Sequence, residues 1–143
     1  MTIEKNFVIK KIELAKKYLT EARELFKLSN SDILHSSNNL HTAERLLQLI
    51  VDYIIDINRH FIKELNLESP DDLKGTFDIL GNSGILDKEF ALKIAPVVGL
   101  RNIIVHQYEK IDNEKFVADF RKHNNDFDEY FKYIVSYLDK TGF

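Results

Sequence analysis

A chain of 143 residues with five glycines and two prolines has few places at which short strands could be closed by tight turns. A fold of many short strands is therefore excluded, and helices remain. The composition agrees, since 44% of the residues are hydrophobic and 30% charged, a balance suited to helices with one apolar and one wet face. The expected fold is all-α, and the length is that of one domain, 1–143, large enough to bury a core without covalent staples.

Apolar periodicity places about five helices. From Ile3 to Leu28, Phe7, Leu14, Tyr18, Ala22 and Leu25 recur at helical spacing, with Ile12, Leu19 and Phe26 beside them. Ser29-Asn30-Ser31-Asp32 supplies a turn and an N-cap, and a long second helix is expected to run to about Asn66 on an inner stripe of Leu40, Leu47, Ile50, Ile54, Ile57 and Phe61. Ser69-Pro70-Asp71-Asp72 has the form of a helix start, with Ser at the N-cap and Pro at the first helical position, so a third helix is predicted from there to about Leu80. Gly81-Asn82-Ser83-Gly84 breaks it, and Asp87 caps a fourth helix that Pro96 should kink or divide and that ends near Tyr108. Ile111-Asp112-Asn113 starts a last helix on Phe116, Phe120, Phe127, Phe131, Ile134 and Leu138, with a bend expected at Asn124-Asn125. The Phe and Tyr residues along it read as core packing rather than as a platform for stacking bases.

Absent features narrow the function. Without cysteine there is neither a disulfide framework nor a Cys-based zinc site. No run approaches the ~18 apolar residues of a membrane span and the N-terminus lacks an apolar leader core, so a soluble, cytoplasmic protein is expected, with no membrane association. A formal net charge of -3 argues against a broad basic surface for nucleic acid. No DNA partner is expected, and contact with RNA must be local, within a cleft.

The segment Arg101-Asn102-Ile103-Ile104-Val105-His106-Gln107-Tyr108 concentrates the available chemistry. Arg presents a planar fork of donors to phosphate, and His can take or give a proton near neutrality. The three apolar residues between them read as a buried stripe. On an ideal helix Arg101 and His106 lie about 140° and ~7.5 Å apart, so they do not share a face, whereas Arg101 and Tyr108 do. Asn102, four before His106, is within reach of the imidazole. Convergence of Arg101 and His106 on one phosphate then requires either a loosened helix end or a second subunit across a two-fold axis. Taken alone, cations near a helix C-terminus are also ordinary complements to the helix dipole.

Gly99-Leu100-Arg101-Asn102-Ile103-Ile104-Val105-His106-Gln107-Tyr108, followed by Ile111-Asp112, resembles the Arg-x4-His-x-Tyr signature of HepT proteins, the HEPN-domain toxins of HEPN/MNT toxin-antitoxin systems. Glu44-Arg45-Leu46-Leu47-Gln48-Leu49, Asp56-Ile57-Asn58-Arg59-His60, Phe77-Asp78-Ile79-Leu80 and Gly84-Ile85-Leu86 fall in that family's order and rough spacing, so the resemblance covers most of the chain. It implies an up-and-down HEPN-like bundle that forms a homodimer around its motifs and cleaves RNA as a metal-independent endoribonuclease, without a cofactor, in a type II or VII-like toxin-antitoxin pair. Arg101 would hold the scissile phosphate and His106 would act as general acid or base. Tyr108 matches the tyrosine to which the cognate minimal nucleotidyltransferase, the antitoxin, adds AMP, and a bulky anion there would repel RNA. The alternative that the resemblance leaves open is a non-catalytic helical partner that recruits substrate for the nucleotidyltransferase.

Other polar residues carry less. Glu44, Gln48, Asp52, Asp56 and His60 fall four apart on the second helix and form one slowly drifting stripe. Asp52, Asp56 and His60 could be read as metal ligands, but the set lacks a second closely spaced His, and a solvated face or a polar cleft lining is the expectation. Asp56, set within Ile54-Ile55-Asp56-Ile57, is expected to support the site. Lys10-Lys11 and Lys16-Lys17 read as the wet side of the first helix, and His35, His41 and His123 are assigned no role.

Overall fold

The computed structural model describes residues 3–106 and 111–142. Among them there is no strand, and eight helical segments follow in order. These are α1 (Lys5–Leu25), α2 (Asn30–Leu34), α3 (Ser37–Glu64), α4 (Gly75–Asn82), α5 (Lys88–Ile94), α6 (Val97–His106), α7 (Asn113–His123) and α8 (Asn125–Thr141). Three of the five expected helices are divided, which accounts for the larger number.

The first division was not foreseen. Ser29 accepts a hydrogen bond from the Asp32 amide and starts α2, and seven residues later Ser36 accepts one from the Asn39 amide and starts α3. Each hydroxyl satisfies an amide that a continuous helix would have bonded to a carbonyl, so two caps replace one long start. α3 then ends where Asn66 takes a left-handed conformation with φ +51°. The other two divisions fall where expected, between α5 and α6 at Pro96 and between α7 and α8 at Asn124. Asp87 caps α5 through the Phe90 amide, and Asp112 caps α7 through the Lys115 amide.

The third helix starts later than the Ser-Pro signal suggests. Residues through 74 stay irregular, and Asp72 Oδ1 accepts the Gly75 amide at 2.7 Å to open α4. A Cβ at position 75 would lie 3.3 Å from the Pro70 ring and 3.2 Å from that carboxylate, so glycine lets the connection fold close onto the helix start.

α3 is the axis of the bundle. Its predicted stripe from Leu40 to Phe61 is buried throughout, and α1, α2, α4 and α6 all pack on it. The face of α1 is phased differently from the expectation. The buried set is Val8, Ile12, Ala15, Leu19, Ala22 and then Phe26, alternating steps of four and three, whereas Phe7 is 37% exposed and lies against the His60 ring at 4.8 Å. Leu14, Tyr18 and Leu25 are only half-buried.

α8 closes the core through Tyr130, Phe131, Ile134 and Leu138. Within that core one polar chain is fully bonded. The Tyr130 hydroxyl donates to Asn58 Oδ1 at 2.6 Å, Asn58 Nδ2 donates to Thr76 Oγ1 at 3.0 Å, and Thr76 Oγ1 donates to the Leu73 carbonyl at 2.7 Å. No buried side-chain polar atom among the described residues is left without a partner. Burial pushes the Tyr130 phenol well above its ordinary value, so it remains a donor. No helix among the described residues is long and apolar enough to cross a membrane.

Candidate active site

The chain from Tyr130 to Leu73 ends at the wall of an open cleft. The cleft, of about 610 Å³, is lined by Arg59 from α3, the segment Pro70–Leu73, Thr76 at the start of α4, and Arg101, Asn102, Ile103 and His106 from α6. The bonded carbonyl of Leu73 and the Asp72–Gly75 cap hold the loop side in place. Pro96 separates α5 from α6, and the second of these lies on α3.

Arg101 is anchored across that α3–α6 seam. Its Nε donates to Asp52 Oδ1 at 2.7 Å, and one Nη donates to Asn102 Oδ1 at 3.0 Å. The side chain of Arg101 is 17% exposed and that of Asp52 34%, so the pair sits at the edge of the core. Among the described residues two of the five guanidinium N–H groups are thereby used, and three remain for an anion. Bonding to Asn102 also draws the guanidinium toward the side of α6 that carries His106. The long arginine side chain thus offsets the 140° between positions 101 and 106, and both residues line one cleft within a single chain.

His106 stands on the last described turn of α6 and is exposed. Asn102 spends its oxygen on Arg101, and no Asn102–His106 bond forms among the described residues. The hydrogen-bond partner of the Asn102 oxygen is thus the guanidinium of Arg101.

Asp56 is elsewhere. Its Oδ2 pairs with Lys11 Nζ at 3.0 Å, tying α3 to α1, and the carboxylate that meets Arg101 is Asp52, one turn earlier. His60 Nε2 accepts the Glu4 amide at 3.0 Å. The members of the polar stripe thus reach different neighbours. Among the described residues, no group of three or more His, Cys, Asp or Glu side chains is placed to hold a metal ion.

Ile103, Ile104 and Val105 are half-buried rather than buried, and Val98 is the residue that α6 buries fully. α6 packs on α3 and keeps Val97, Leu100, Ile103, Ile104 and Val105 partly exposed. Tyr108 lies outside the described residues.

Arg59, Asn58 and Thr76 had no assigned role in the sequence reading. Asn58 was detectable, because it follows Ile54 by four and precedes Phe61 by three, a core position on the α3 stripe. Arg59 and Thr76 carried no such signal, since their places depend on how the 65–74 connection folds back.

Comparison with known proteins agrees with this architecture. Residues 15–134 match the family model described as HepT-like, Ribonuclease HepT-like. Over 117 residues the chain is 38% identical to the tRNA nuclease HepT of Aphanizomenon flos-aquae, covering 81% of this chain and 80% of that protein. Over 88 residues it is 27% identical to the mRNA nuclease HepT of Shewanella oneidensis, covering 62% and 66%. A crystal structure of a toxin-antitoxin with AMP-PNP superimposes with a TM-score of 0.85 at 21% identity, over 92% of this chain and 98% of that one. A tri-AMPylated Shewanella oneidensis HEPN toxin, in complex with MNT antitoxin, gives 0.84 at 22% identity over 91% and 97%. These two structural likenesses speak for the fold, and the family match with the 38% identical relative speaks for descent: the chain is a member of the ribonuclease HepT-like family.

Proposed function

We propose that this protein is the endoribonuclease toxin of a toxin-antitoxin pair and that Arg101 and His106 cleave RNA without a metal ion. The observation that carries the reading is that these two side chains line one cleft, with the guanidinium of Arg101 already oriented by Asp52 and Asn102. The 2′-hydroxyl of the RNA attacks the adjacent phosphorus, the bond from phosphorus to the 5′-oxygen breaks, and a 2′,3′-cyclic phosphate is left. A base takes the 2′-hydroxyl proton and an acid supplies one to the departing oxygen, and His106 is the titratable group in place for either transfer. The free donors of Arg101 face the charge that builds on the phosphoryl oxygens.

A homodimer fits the half-buried Ile103, Ile104 and Val105 beside His106, which a second copy of α6 would cover. Such a dimer brings two imidazoles to one cleft, so that base and acid are separate groups. The AMP-modified HEPN toxin among the structural neighbours supports control by a cognate nucleotidyltransferase in the cytoplasm, acting at Tyr108 two residues beyond His106.

Cleavage of RNA by the purified protein in EDTA tests the reading. His106→Ala and Arg101→Ala should each lower the rate roughly 10²- to 10⁴-fold with the helical circular dichroism unchanged. Equal cleavage by His106→Ala would overturn it, and a stable complex with no ribonuclease activity from either partner would favour a recruiting role. After incubation with the nucleotidyltransferase and ATP, the intact mass should rise by one or more AMP units, and the rise should be absent in Tyr108→Phe.

A further inference from the structure

We infer that Arg59 forms a second phosphate subsite, which contacts a backbone phosphate neighbouring the one being cleaved and makes a polynucleotide the preferred substrate. The inference rests on the ribonuclease reading of the same cleft and adds the class of RNA that it takes.

The two arginines of the cleft differ in what they have left to offer. Arg101 is largely buried, neutralised by Asp52 and partly bonded to Asn102. Arg59 is exposed, and among the described residues its guanidinium makes no hydrogen bond and no ion pair. All five of its donors therefore remain available for an anion arriving from solvent.

Its place on α3 relates it to Arg101 through Asp52. Arg59 follows Asp52 by seven residues on α3, so it returns to nearly the same face two turns on, ~10 Å along the axis. Asp52 is the residue on which Arg101 is anchored, and both guanidinium groups border the same cleft. A single phosphate held at Arg101 beside His106 leaves Arg59 displaced along the groove, where the next phosphate of a chain can reach it. Asp71 and Asp72 line the cleft from the connection before α4, and Asp72 is already bonded to the Gly75 amide. Their charge disfavours a phosphate on the loop side, and among the described residues Arg59 is the cleft arginine without an ion pair.

The subsite predicts a division between binding and chemistry. Arg59→Ala should raise KM for a single-stranded oligoribonucleotide about tenfold, with a smaller change in kcat. A dinucleotide, which offers no second phosphate, should be affected far less. Arg59→Lys keeps the charge without the fork and should fall between the two.

Equilibrium binding of a 2′-O-methyl oligoribonucleotide, which cannot be cleaved, separates this inference from the proposed function. Arg59→Ala should weaken binding and lower the slope of log K against log salt by about one. Unchanged affinity and slope overturn the subsite even if the protein cleaves RNA. The expected loss of affinity supports it even if the wild-type chain proves inactive. An equal fall in kcat on the dinucleotide and on the oligonucleotide also overturns it, because it places Arg59 at the reacting phosphate.

Discussion

Replacing Asp52 by Asn tests whether the ion pair at the α3–α6 seam is what makes Arg101 useful. The substitution keeps the shape and an acceptor oxygen but removes the charge opposite Arg101 Nε, 2.7 Å away. Two unit charges about 4 Å apart attract by about 4 kcal/mol at an effective dielectric of 20. Asp52 is 34% exposed, so solvent screens much of that attraction, and ordering both side chains opposes more of it. A net loss of about 1–2 kcal/mol remains, between an exposed pair and a charge-assisted bond in the core. For a chain of this length that lowers the melting temperature by roughly 3–6 °C.

The effect on cleavage should exceed the effect on stability. An arginine released from Asp52 samples orientations in which its free donors miss the phosphate, and misplacement by about 1 Å costs roughly 10²-fold in rate. Single-turnover cleavage well below the melting temperature isolates that loss from unfolding. The double variant Asp52→Asn/Arg101→Ala supplies the decisive comparison. If Asp52 acts through Arg101, the double variant is no slower than Arg101→Ala alone. Wild-type cleavage by Asp52→Asn, or a further loss on top of Arg101→Ala, refutes the positioning role.

Two further substitutions probe the frame around the site. Tyr130→Phe leaves Asn58 Oδ1 without the hydroxyl that donates to it at 2.6 Å in the core, and urea unfolding should show a loss of about 1–3 kcal/mol. An unchanged midpoint would mean that the chain from Tyr130 to Leu73 does not hold α3, α4 and α8 together. Glu44 is 8% exposed, and burial, opposed more weakly by His41, raises its pKa above the ordinary glutamate value. The folded chain thus binds this proton more tightly than the unfolded one, and the associated stability is complete below the unfolded pKa and lost as pH rises through the folded one. Glu44→Gln should be more stable than the wild type at neutral pH, with the difference closing as the pH falls into the glutamate range. A difference that stays constant with pH would assign the effect to packing.

What the sequence disclosed was local. Asp87, Asp112, Pro96 and Asn124 act on the few residues around them, and each starts or divides a helix as its chemistry predicts. The α3 stripe was legible for the same reason. The phase of α1 was not, because Phe7 and Val8 are both apolar neighbours and the choice between them depends on where α3 lies. The site divides in the same way. Arg101, Asn102 and His106 were visible as a motif, but spacing alone could not separate Asp52 from Asp56, since they stand one turn apart on one stripe. Which carboxylate meets Arg101 depends on where α6 crosses α3, and whether Arg59 on α3 borders a cleft depends on the path of a connection that no periodicity describes.

That crossing depends on the break at Pro96. Continued without interruption, Lys88 to His106 would form a straight rod about 28 Å long, whereas α5 in fact packs on α4 and α6 on α3. The break five residues before Arg101 therefore sets the direction in which the motif approaches Asp52. The ring is not the sole constraint: the Val98 amide bonds to Ala95 O at 3.1 Å and the Gly99 amide to Pro96 O at 3.0 Å, closing two overlapping tight turns that both include Pro96. Buried Ile94, Ala95 and Val98 hold the same corner. Pro96→Ala should then keep the break and lose only about 0.4–1 kcal/mol, largely through the greater freedom of the unfolded chain. Cleavage should persist near the wild-type rate while the melting temperature falls slightly. Loss of cleavage with unchanged melting would show that the ring alone turns α6, and that the distance from Arg101 to Asp52 depends on it.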